Sequence, residues 1–520
     1  MSTNAQPAVT APTSPMSPAR TAALRRDNHK PASASPSCTH TKIAALPGGI
    51  YFSPPCLAPQ RDLSYPPSPR PPQVYLFLYK LGIVFRICID CSTELMYNTD
   101  TNRGIDGKNR KWRDNPVYIE RKIEKQVKYL SEHFPAVVIG GARQTGKTTL
   151  IKNMLGTKEG ITYVTLDYPR IRELAKNDPE LFLQQYRAPV IIDEVQYAPE
   201  LLPFIKIRID EDRKNGQYYL TGSQMFRLMK NVSESLAGRV GVLSLYALSR
   251  AEIYGTEETP FLPSKPLTVK HNETLISIFD LIYRGSMPQM AVDPELAPEA
   301  YFGEYMQTYI ERDIRELVEI KNESKFLKFI SCAAARTGQE LNLSDIGKDV
   351  GVDAKTADSW ISLLVTSGLV FLLYPYSANT VKRIVKRPKL YFMDTGLACY
   401  LSLWNDPRVL ENSAMAGAMF ETYVVSEIIK EYANRGLDVR SRLAYYRDNN
   451  GREIDLLILE NGSIYPVEIK KSADPGKDAL KNFSVLEKLP GKTGEGAVIC
   501  LSSAFYPLDG RNFIVPVGMI

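Results

Sequence analysis

The chain has 520 residues, of which 44% are hydrophobic, and its 64 Lys and Arg residues exceed its 58 Asp and Glu residues. This length suggests about three domains, and the hydrophobic share is typical of a soluble globular protein with buried cores. Most of the excess charge lies in residues 1–72, and the remaining 57 basic and 56 acidic residues are nearly balanced. The overall charge is therefore no evidence for a nucleic-acid-binding core.

Cysteine and histidine are scarce. Seven cysteines in a chain of this length do not make a disulfide framework, so we expect a reducing compartment and a cytoplasmic protein. Cys88 and Cys91 form a single CxxC pair without a second pair, which does not favour a zinc site. The four histidines make His-rich metal sites and Ser-His-Asp catalysis poor candidates.

Residues 1–116 differ from the rest of the chain. The first 72 residues contain 15 of the 36 prolines, mixed with Ala and Ser. We expect residues 1–116 to be disordered or to be a spurious extension that is never translated, with a transit peptide as the alternative. Residues 73–91 are apolar, but Lys80 and Arg86 interrupt them. A membrane span is therefore disfavoured, and no membrane partner is expected.

From Tyr118 onward, short β-rich runs alternate with helical stretches. Apolar residues at helical spacing predict a helix around residues 119–130. The predicted strands that follow are residues 136–140, 161–166, 189–192, 218–221 and 240–245. Strands separated by helices predict an α/β fold with a parallel sheet and helices on both faces. We assign residues 117–255 to this domain.

A glycine-rich loop joins the first predicted strand to a helix. Its residues are Gly141, Ala142, Arg143, Gln144, Thr145, Gly146, Lys147, Thr148 and Thr149, with the spacing GxxxxGKT. Between a strand and a helix, the backbone N–H groups of such a loop wrap nucleotide phosphates. Lys147 would contact the β- and γ-phosphates, and Thr148 would bind Mg²⁺. The sequence therefore predicts a P-loop NTPase sheet with ATP and Mg²⁺ as its cofactors.

Polar residues after two later strands strengthen this prediction. Asp193 and Glu194 end an apolar strand, so Asp193 is expected to hold Mg²⁺ and Glu194 to polarise the attacking water. Ser223 follows the next strand, where such folds place a γ-phosphate sensor. Hydrolysis also needs a positive charge on the transition state. Arg239 is the candidate for that role, and an ordinary surface arginine is the alternative.

Four segments together resemble one family. They are Gly-Ala-Arg-Gln-Thr-Gly-Lys-Thr-Thr from residue 141, Ile-Ile-Asp-Glu-Val-Gln from 191, Leu-Thr-Gly-Ser-Gln from 220 and Leu-Ala-Gly-Arg-Val from 236. They look like the prokaryotic AAA-type ATPases that carry an uncharacterised C-terminal domain. Residues 386–397 are similar to the C-terminal signature of that family. The resemblance covers residues 117–520 and implies ATP binding.

Residues 256–335 are predicted to form a helical linker or lid, and residues 336–400 a winged helix-turn-helix. Gly351 lies between two predicted helices, where the turn requires a positive φ. The second helix contains a single basic residue, Lys355, which makes it a weak reader of the DNA major groove. The predicted wing carries Lys382, Arg383, Lys386, Arg387 and Lys389. Contact with DNA and a domain-packing role both remain open.

A β-hairpin with Asn-Gly as its turn is predicted for residues 453–470. The two-residue turn sets Asp455 opposite Glu468 and Glu453 opposite Lys470, and strand periodicity places all four on one face. Opposed carboxylates are unfavourable unless a cation lies between them, and Mg²⁺ suits such oxygen ligands.

This hairpin resembles the restriction-endonuclease-like (PD-(D/E)xK) core, which defines a predicted C-terminal α/β domain over residues 401–520. Asp455 and Glu468 would bind the metal, and Lys470 would orient the attacking water. Glu421, on a predicted helix over residues 417–432, matches the acidic residue that such folds add. The alternative is a solvated strand face with Glu–Lys pairs, or a degenerate nuclease fold.

These sites leave two functions open. The first is an ATPase coupled to a DNA-directed nuclease module. The second is a nucleotide-gated switch, in which the ATP state controls the exposure of an inactive nuclease fold to a protein or DNA partner. A helicase or remodeller would require a homo-oligomer, because the chain has one P-loop. The expected partners are thus ATP, DNA and further copies of the chain.

Overall fold

The structure is a computed structural model that describes residues 118–156, 160–223, 232, 234–256, 259–263, 275–310, 323–377 and 386–520. The predicted extension over residues 1–116, with its CxxC pair and its apolar stretch, lies outside the described residues. Across the described residues, every helix is too short or too polar to cross a membrane.

A parallel sheet forms the centre of the predicted P-loop domain. Its strands are β1 (Ala136–Gly140), β2 (Thr162–Thr165), β3 (Val190–Asp193), β4 (Tyr218–Gly222) and β5 (Val240–Ser244). They lie in the order β2-β3-β4-β1-β5, with β1 paired in parallel to β4 and β5. All residues of β1 are buried, as expected for a strand covered on both faces. The α/β class and the parallel sheet are therefore confirmed.

Alternate residues of β1 enter two different cores. The helices of this domain are α1 (Glu124–His133), α2 (Lys147–Leu155), α3 (Pro169–Asn177), α4 (Pro179–Gln185), α5 (Leu201–Glu211) and α6 (Arg250–Tyr254). Val137 and Ile139 pack with α1 and α2, whereas Ala136 and Val138 pack with α3, α4 and α5. The period of two along the strand thus places helices on opposite faces of the sheet.

Helices follow the sheet along the chain. They are α7 (Leu275–Arg284), α8 (Pro288–Val292), α9 (Pro298–Tyr305), α10 (Glu323–Ala334), α11 (Leu343–Val350) and α12 (Ala354–Thr366). Gly351 ends α11 with φ at 74°, the conformation that the predicted turn requires. A three-stranded antiparallel sheet has the order β6-β8-β7. Its strands are β6 (Gln339–Glu340), β7 (Val370–Leu373) and β8 (Lys389–Phe392).

The basic residues of the predicted wing have different environments. Lys382 and Arg383 lie outside the described residues, and Lys386 and Arg387 are exposed. Lys389 is buried at the start of β8, where its ammonium contacts Glu421 and Glu453. Lys389, one of the basic residues assigned to the predicted wing, therefore has an ammonium that is not available to phosphate. Its side chain points into a cluster of carboxylates because those charges need a buried counter-ion.

The C-terminal region is a mixed sheet with helices. Its helices are α13 (Thr395–Leu401), α14 (Pro407–Glu411), α15 (Ala416–Asn434) and α16 (Val439–Arg442). Its strands are β9 (Leu443–Arg447), β10 (Glu453–Glu460), β11 (Ser463–Lys470), β12 (Lys492–Thr493), β13 (Gly496–Cys500), β14 (Tyr506–Pro507) and β15 (Asn512–Pro516). The strand order is β14-β15-β13-β11-β10-β9, and β12 also pairs with β11.

The predicted hairpin is present in its predicted register. β10 and β11 are antiparallel, and their pairs run from Glu460 opposite Ser463 to Leu456 opposite Val467. Asn461 and Gly462 both have positive φ, as a two-residue hairpin turn requires. This register places Asp455 and Glu468 next in line at the open end of the hairpin.

One continuous hydrophobic core joins the regions that follow the parallel sheet. It contains buried residues of α7, α9, α10, α12, α15 and the C-terminal sheet, and it also includes Ala142 of the glycine-rich loop. The predicted lid, winged helix and nuclease-like domain thus share this core, and the C-terminal region has two smaller hydrophobic clusters in addition. Movement of one of these regions would disturb the packing of the others.

Helix α15 carries charged side chains into this core. Lys430, which is 2% exposed, donates hydrogen bonds to Glu427 (2.8 Å), to the Ser286 hydroxyl (2.8 Å) and to the Leu248 carbonyl (3.2 Å). The backbone N–H of Arg250, at the start of α6, donates to Glu427 at 2.7 Å. A buried ion pair with satisfied hydrogen bonds therefore connects α15 to the segment that follows β5.

Replacing Lys430 by Met should destabilise the fold by about 3–5 kcal/mol, because Glu427 would remain as a buried charge without its counter-ion. Urea-induced unfolding followed by circular dichroism measures this loss. Lys214→Met is the matched control, since Lys214 pairs with Asp212 on an exposed surface and its loss should not measurably change stability. Equal stability of the two variants would contradict the assigned role of the buried pair.

Candidate functional site

The glycine-rich loop between β1 and α2 requires glycine at two positions. Gly141 has φ at 148° and Gly146 at 91°. A Cβ atom on Gly141 would lie 2.1 Å from the carbonyl oxygen of Leu245, so the backbone after β5 occupies the space of a side chain. Gly146 turns the chain into α2, which begins at Lys147. The loop therefore ends at a helix N-terminus, where backbone N–H groups favour an anion.

Lys147 lies folded over the glycine-rich loop. Its Nζ donates to the carbonyl oxygens of Gly141 at 3.0 Å and Ala142 at 2.7 Å, and the residue is buried. The ammonium is thus held above the loop whose N–H groups would take the phosphates. Within the predicted motif, Lys147 and Arg143 are the residues that carry a full positive charge.

Thr148 and Asp193 meet beside the loop, as predicted. The Thr148 hydroxyl donates to Asp193 Oδ2 at 2.9 Å, and the hydroxyls of Tyr163 and Thr221 also donate to this carboxylate. Burial, followed by the charge of Asp193, raises the pKa of Tyr163, which keeps its hydroxyl a donor. A hydroxyl and a carboxylate are hard oxygen ligands, so Thr148 and Asp193 fit Mg²⁺.

Glu194 and Ser223 lie together next to this pair. Glu194 has a positive φ of 56°, an uncommon conformation for a residue with a side chain. Its Oε2 accepts hydrogen bonds from the Ser223 backbone N–H (3.3 Å) and hydroxyl (3.2 Å), and from the Gln196 side chain. The carboxylate is therefore fixed at the carboxyl ends of β3 and β4, where ligands bind in parallel sheets.

Arg121, which belongs to no motif of the sequence, supports the glycine-rich loop from outside. Its guanidinium donates to the Thr145 carbonyl at 2.7 Å and to the Tyr246 carbonyl at 2.8 Å, and it pairs with Glu252 at 3.0 Å. The residue is buried. It therefore ties the loop to the segment after β5 and to α6 with charge-assisted hydrogen bonds.

The later helices also contact the loop. The Tyr301 hydroxyl, on α9, donates to the Gln144 side chain at 2.6 Å. Gly368, after α12, has φ at 76°, and a Cβ atom there would lie 3.6 Å from the Ala142 backbone nitrogen. The regions predicted as lid and winged helix thus form one wall of the candidate nucleotide site.

Arg239 lies away from this site. It makes two hydrogen bonds to Asp210, at 2.7 and 2.9 Å, and its carbonyl accepts from the Ala136 backbone N–H at the start of β1. The glycine-rich loop follows the other end of β1, after Gly140. The structure therefore does not bring Arg239 to the site of its own chain, because the full length of the strand separates them.

A second group of charged residues lies at the open end of the β10–β11 hairpin. The predicted residues Glu421, Asp455, Glu468 and Lys470 are brought together there, with Glu453. Lys470 contacts Glu468 at 2.6 Å and Asp455 at 3.7 Å, and the Ile469 backbone N–H donates to Asp455 at 2.8 Å. A cavity of about 790 Å³ opens on Glu453, Asp455, Glu468 and Lys470.

Lys389 enters this group from β8. Its Nζ lies 2.9 Å from Glu421, 2.6 Å from Glu453 and 3.8 Å from Asp455. Burial would lower the pKa of Lys389, but the negative charges around it outweigh burial and raise it. Lys389 is therefore a permanent cation among the carboxylates. Together with Lys470, it offsets part of the negative charge that burial makes unfavourable.

Glu421, Glu453, Asp455 and Glu468 together form an acidic cluster. Two of its carboxyl groups have strongly raised pKa values. Burial, followed by the charge of Asp455, raises the pKa of Glu421 to about 7. The same two causes, in the same order, raise the pKa of Glu468 to about 7. Further negative charge in the cluster is therefore unfavourable, and an added cation would favour the ionised forms of Glu421 and Glu468.

The parallel sheet, the glycine-rich loop and the polar residues at the ends of β3 and β4 define a P-loop ATPase domain. Comparison with known families agrees with this class, because residues 133–254 match the AAA domain family. These residues form an AAA-type ATP-binding domain.

Two further matches cover most of the chain that follows this domain. Residues 276–408 match a domain of unknown function, DUF8612, and residues 416–520 match another domain of unknown function, DUF4143. The first match spans both the predicted lid and the predicted winged helix.

Two uncharacterised mycobacterial proteins are similar to the chain. They are Mb2031c of Mycobacterium bovis and Rv2008c of Mycobacterium tuberculosis, each 27% identical over 388 residues. The alignments cover 74% of this chain and 81% of each relative. Their names assign no activity.

Solved structures show more distant similarity. The Walker-type ATPase PABY2304 of Pyrococcus abyssi is 15% identical, with a TM-score of 0.34, and the match covers 56% of this chain and 99% of that one. A variant of RuvB from Thermotoga maritima is 16% identical, with a TM-score of 0.23, over 48% and 88% of the two chains. Scores this low do not establish a common overall fold.

Two residues of the candidate nucleotide site were missed from the sequence, for different reasons. Gln196 lies two residues after Glu194, within a segment that carried the family resemblance, so a signal for it existed. Arg121 lies in an ordinary amphipathic stretch, 24 residues before Thr145, to which it donates. Local patterns do not reveal such a contact, because only the folded chain brings the two together.

Replacing Arg121 by Gln should weaken ATP binding about tenfold, because the loop would lose charge-assisted hydrogen bonds that hold Thr145. Isothermal titration with ATP measures the Kd, and circular dichroism verifies that the variant is folded. Arg239→Gln is the matched control and should change the Kd less than about twofold, since its pair with Asp210 is distant from the loop. A larger effect of Arg239→Gln would reverse this assignment.

Proposed function

We propose that this protein hydrolyses ATP with Mg²⁺ at the glycine-rich loop and uses the ATP state to control its C-terminal acidic cluster. The observation that carries the proposal is the contact of Thr148 with Asp193, next to a Glu194 carboxylate held by Ser223. These groups lie beside the N-terminus of α2, where phosphates bind.

Each residue has a distinct part in the proposed reaction. Backbone N–H groups of the loop and the Lys147 ammonium would neutralise the phosphate oxygens. Thr148 and Asp193 would hold Mg²⁺, which supplies further neutralisation of the phosphates when it is bound. Glu194 would accept a hydrogen bond from the attacking water and orient it. Ser223 and Gln196 keep that carboxylate in one position, which reduces the cost of reorganisation during the reaction.

The contacts of the loop support a role for ATP beyond the ATPase domain. Tyr301 and Gly368 belong to the regions after the sheet, and both lie against the loop. Those regions share one core with α15 and the C-terminal sheet. A nucleotide that alters the conformation of the loop would therefore alter the packing of this shared core, which extends to the acidic cluster.

A nuclease-like activity of the C-terminal region is the second candidate. Asp455, Glu468 and Lys470 converge at one cavity, with Glu421 nearby, which is the arrangement that the sequence predicted for a restriction-endonuclease-like core. We further propose that residues 336–400 act as a winged helix, with Lys386 and Arg387 exposed and available to DNA phosphates. A regulatory switch with an inactive nuclease fold is the alternative, and the presence of Lys389 in the cluster favours it.

Lys147→Ala should abolish ATP binding and turnover, because the β- and γ-phosphates would lose their main cationic contact. Glu194→Gln should retain ATP binding and lower turnover by about 10²-fold or more, since an amide does not act as a base. Phosphate release and titration with ATP separate the two effects. Unchanged turnover in Lys147→Ala would refute the proposed ATP site.

Asp455→Asn should abolish any Mg²⁺-dependent cleavage of DNA, because the cluster would lose a metal-binding carboxylate. Incubation of single- and double-stranded DNA with the wild-type chain, Asp455→Asn and Lys147→Ala provides the test, with ATP turnover as a check on each preparation. Wild-type protein that turns over ATP but leaves DNA intact would favour the switch instead of the nuclease.

A further inference from the structure

The ammonium of Lys389 contacts three carboxylates of the acidic cluster, which come from two elements. Glu421 comes from α15, and Glu453 and Asp455 come from β10. All three carboxylates lie within 3.8 Å of Lys389 Nζ. The Lys389 side chain is 3% exposed, so its ammonium is shielded from water, unlike that of a surface lysine.

The fold holds Lys389 in this place. It is the first residue of β8, where it pairs with Glu340 of β6 and with Leu373 of β7. The strand is therefore fixed on both sides. The next side chain on the same face, Tyr391, donates its hydroxyl to Glu421 at 2.6 Å. The position of the ammonium is a consequence of the strand register and not of a mobile side chain on the surface.

The cluster also contains an oxygen that lacks a partner. Glu468 is 6% exposed, and its Oε2 accepts no hydrogen bond from the residues that the structure describes. Its other oxygen accepts from Lys470 at 2.6 Å. A buried carboxylate oxygen without a partner is unfavourable, so a cation that entered the cluster in place of the Lys389 ammonium would gain this oxygen as a further ligand.

We propose that Lys389 is a built-in counter-ion that takes the place of a divalent metal ion, so that the cluster binds such an ion only when this ammonium is absent. The inference rests on the proposed nuclease-like site and concerns its regulation. In the state described by the structure, the carboxylates that would bind metal are already paired with a cation of the same chain.

Charge and space support this assignment. Divalent cations need oxygen ligands at about 2.0–2.6 Å, and the oxygens of Glu421 and Glu453 are engaged by the ammonium at hydrogen-bond distance. A metal ion in the same place would lie against a positive charge, which is strongly unfavourable in a buried site. Without Lys389, the half-buried carboxylates of Glu421 and Glu453 and the buried carboxylate of Asp455 would face one another, and uptake of a cation would relieve their repulsion.

Mn²⁺ binding to the full chain without nucleotide tests the proposal. Electron paramagnetic resonance reports free Mn²⁺ during titration of the wild type, Lys389→Met, Lys488→Met and Lys389→Met/Asp455→Asn. Lys488 is an exposed lysine of the same region and serves as the matched control. Any binding at Thr148 and Asp193 is common to all four proteins, so differences between them report on the cluster.

The proposal expects Lys389→Met to bind Mn²⁺ at least tenfold more tightly than the wild type, and it expects the double variant to lose this gain. Lys488→Met should behave like the wild type. Equal Mn²⁺ affinity of Lys389→Met and the wild type overturns the proposal. If Lys389→Met does not fold without metal, its refolding yield provides the measurement. The yield should rise with Mn²⁺, and a yield independent of Mn²⁺ also overturns the proposal.

DNA cleavage by Lys389→Met distinguishes this inference from the function on which it rests. A variant that gains Mn²⁺ binding but leaves DNA intact supports the counter-ion role of Lys389 and refutes only the nuclease activity. A variant that gains both supports the two proposals together. Mn²⁺ binding by the wild type that is lost in Asp455→Asn would contradict the counter-ion role, whatever the result with DNA.

Discussion

The buried ion pair between Lys430 and Glu427 is the interaction on which the joined architecture depends. A helix with three buried charged residues, Glu427, Lys430 and Glu431, is expensive to bury unless each charge has a partner. Lys430 finds its partners in Glu427, Ser286 and the Leu248 carbonyl, and Glu427 also accepts from the Arg250 backbone. These partners outside α15 come from the segment after β5 and from the turn between α7 and α8. Helix α15 can therefore fold in this position only against the ATPase domain.

The same helix connects the two candidate sites. Glu421, which precedes Lys430 on α15, belongs to the acidic cluster, and the segment that receives Lys430 leads into α6. Glu252 of α6 pairs with Arg121, which holds the Thr145 carbonyl in the glycine-rich loop. A chain of buried, paired charges thus runs from the nucleotide loop to α15. Buried ion pairs have a definite geometry. A change in the packing at the nucleotide loop would therefore be felt at α15 through these pairs.

The two sites use positive charge in opposite ways. In the ATPase domain, Lys147 rests on backbone carbonyls, which are neutral acceptors that a phosphate can replace as its partner. In the acidic cluster, Lys389 rests on carboxylates, which bind it through full charges. A cation that entered the acidic cluster would therefore compete with a charged partner that the fold already supplies.

The sequence by itself determined the local features of this protein. The five parallel strands, the glycine-rich loop and the β10–β11 register follow from hydrophobic period, glycine placement and turn chemistry, which act over a few residues. Asp193 and Glu194 were identifiable because the end of a buried strand fixes where its next side chains point.

Only the tertiary structure decided the contacts between distant segments. It placed Arg121 under the loop, set Arg239 at the opposite end of β1 and buried Lys389 among carboxylates. It also packed parts of the predicted lid, winged helix and C-terminal domain together in a shared core. The physical reason is that a charged side chain looks the same in sequence whether it meets water or a buried partner. Its partner is set by packing across the whole chain, which no local pattern encodes.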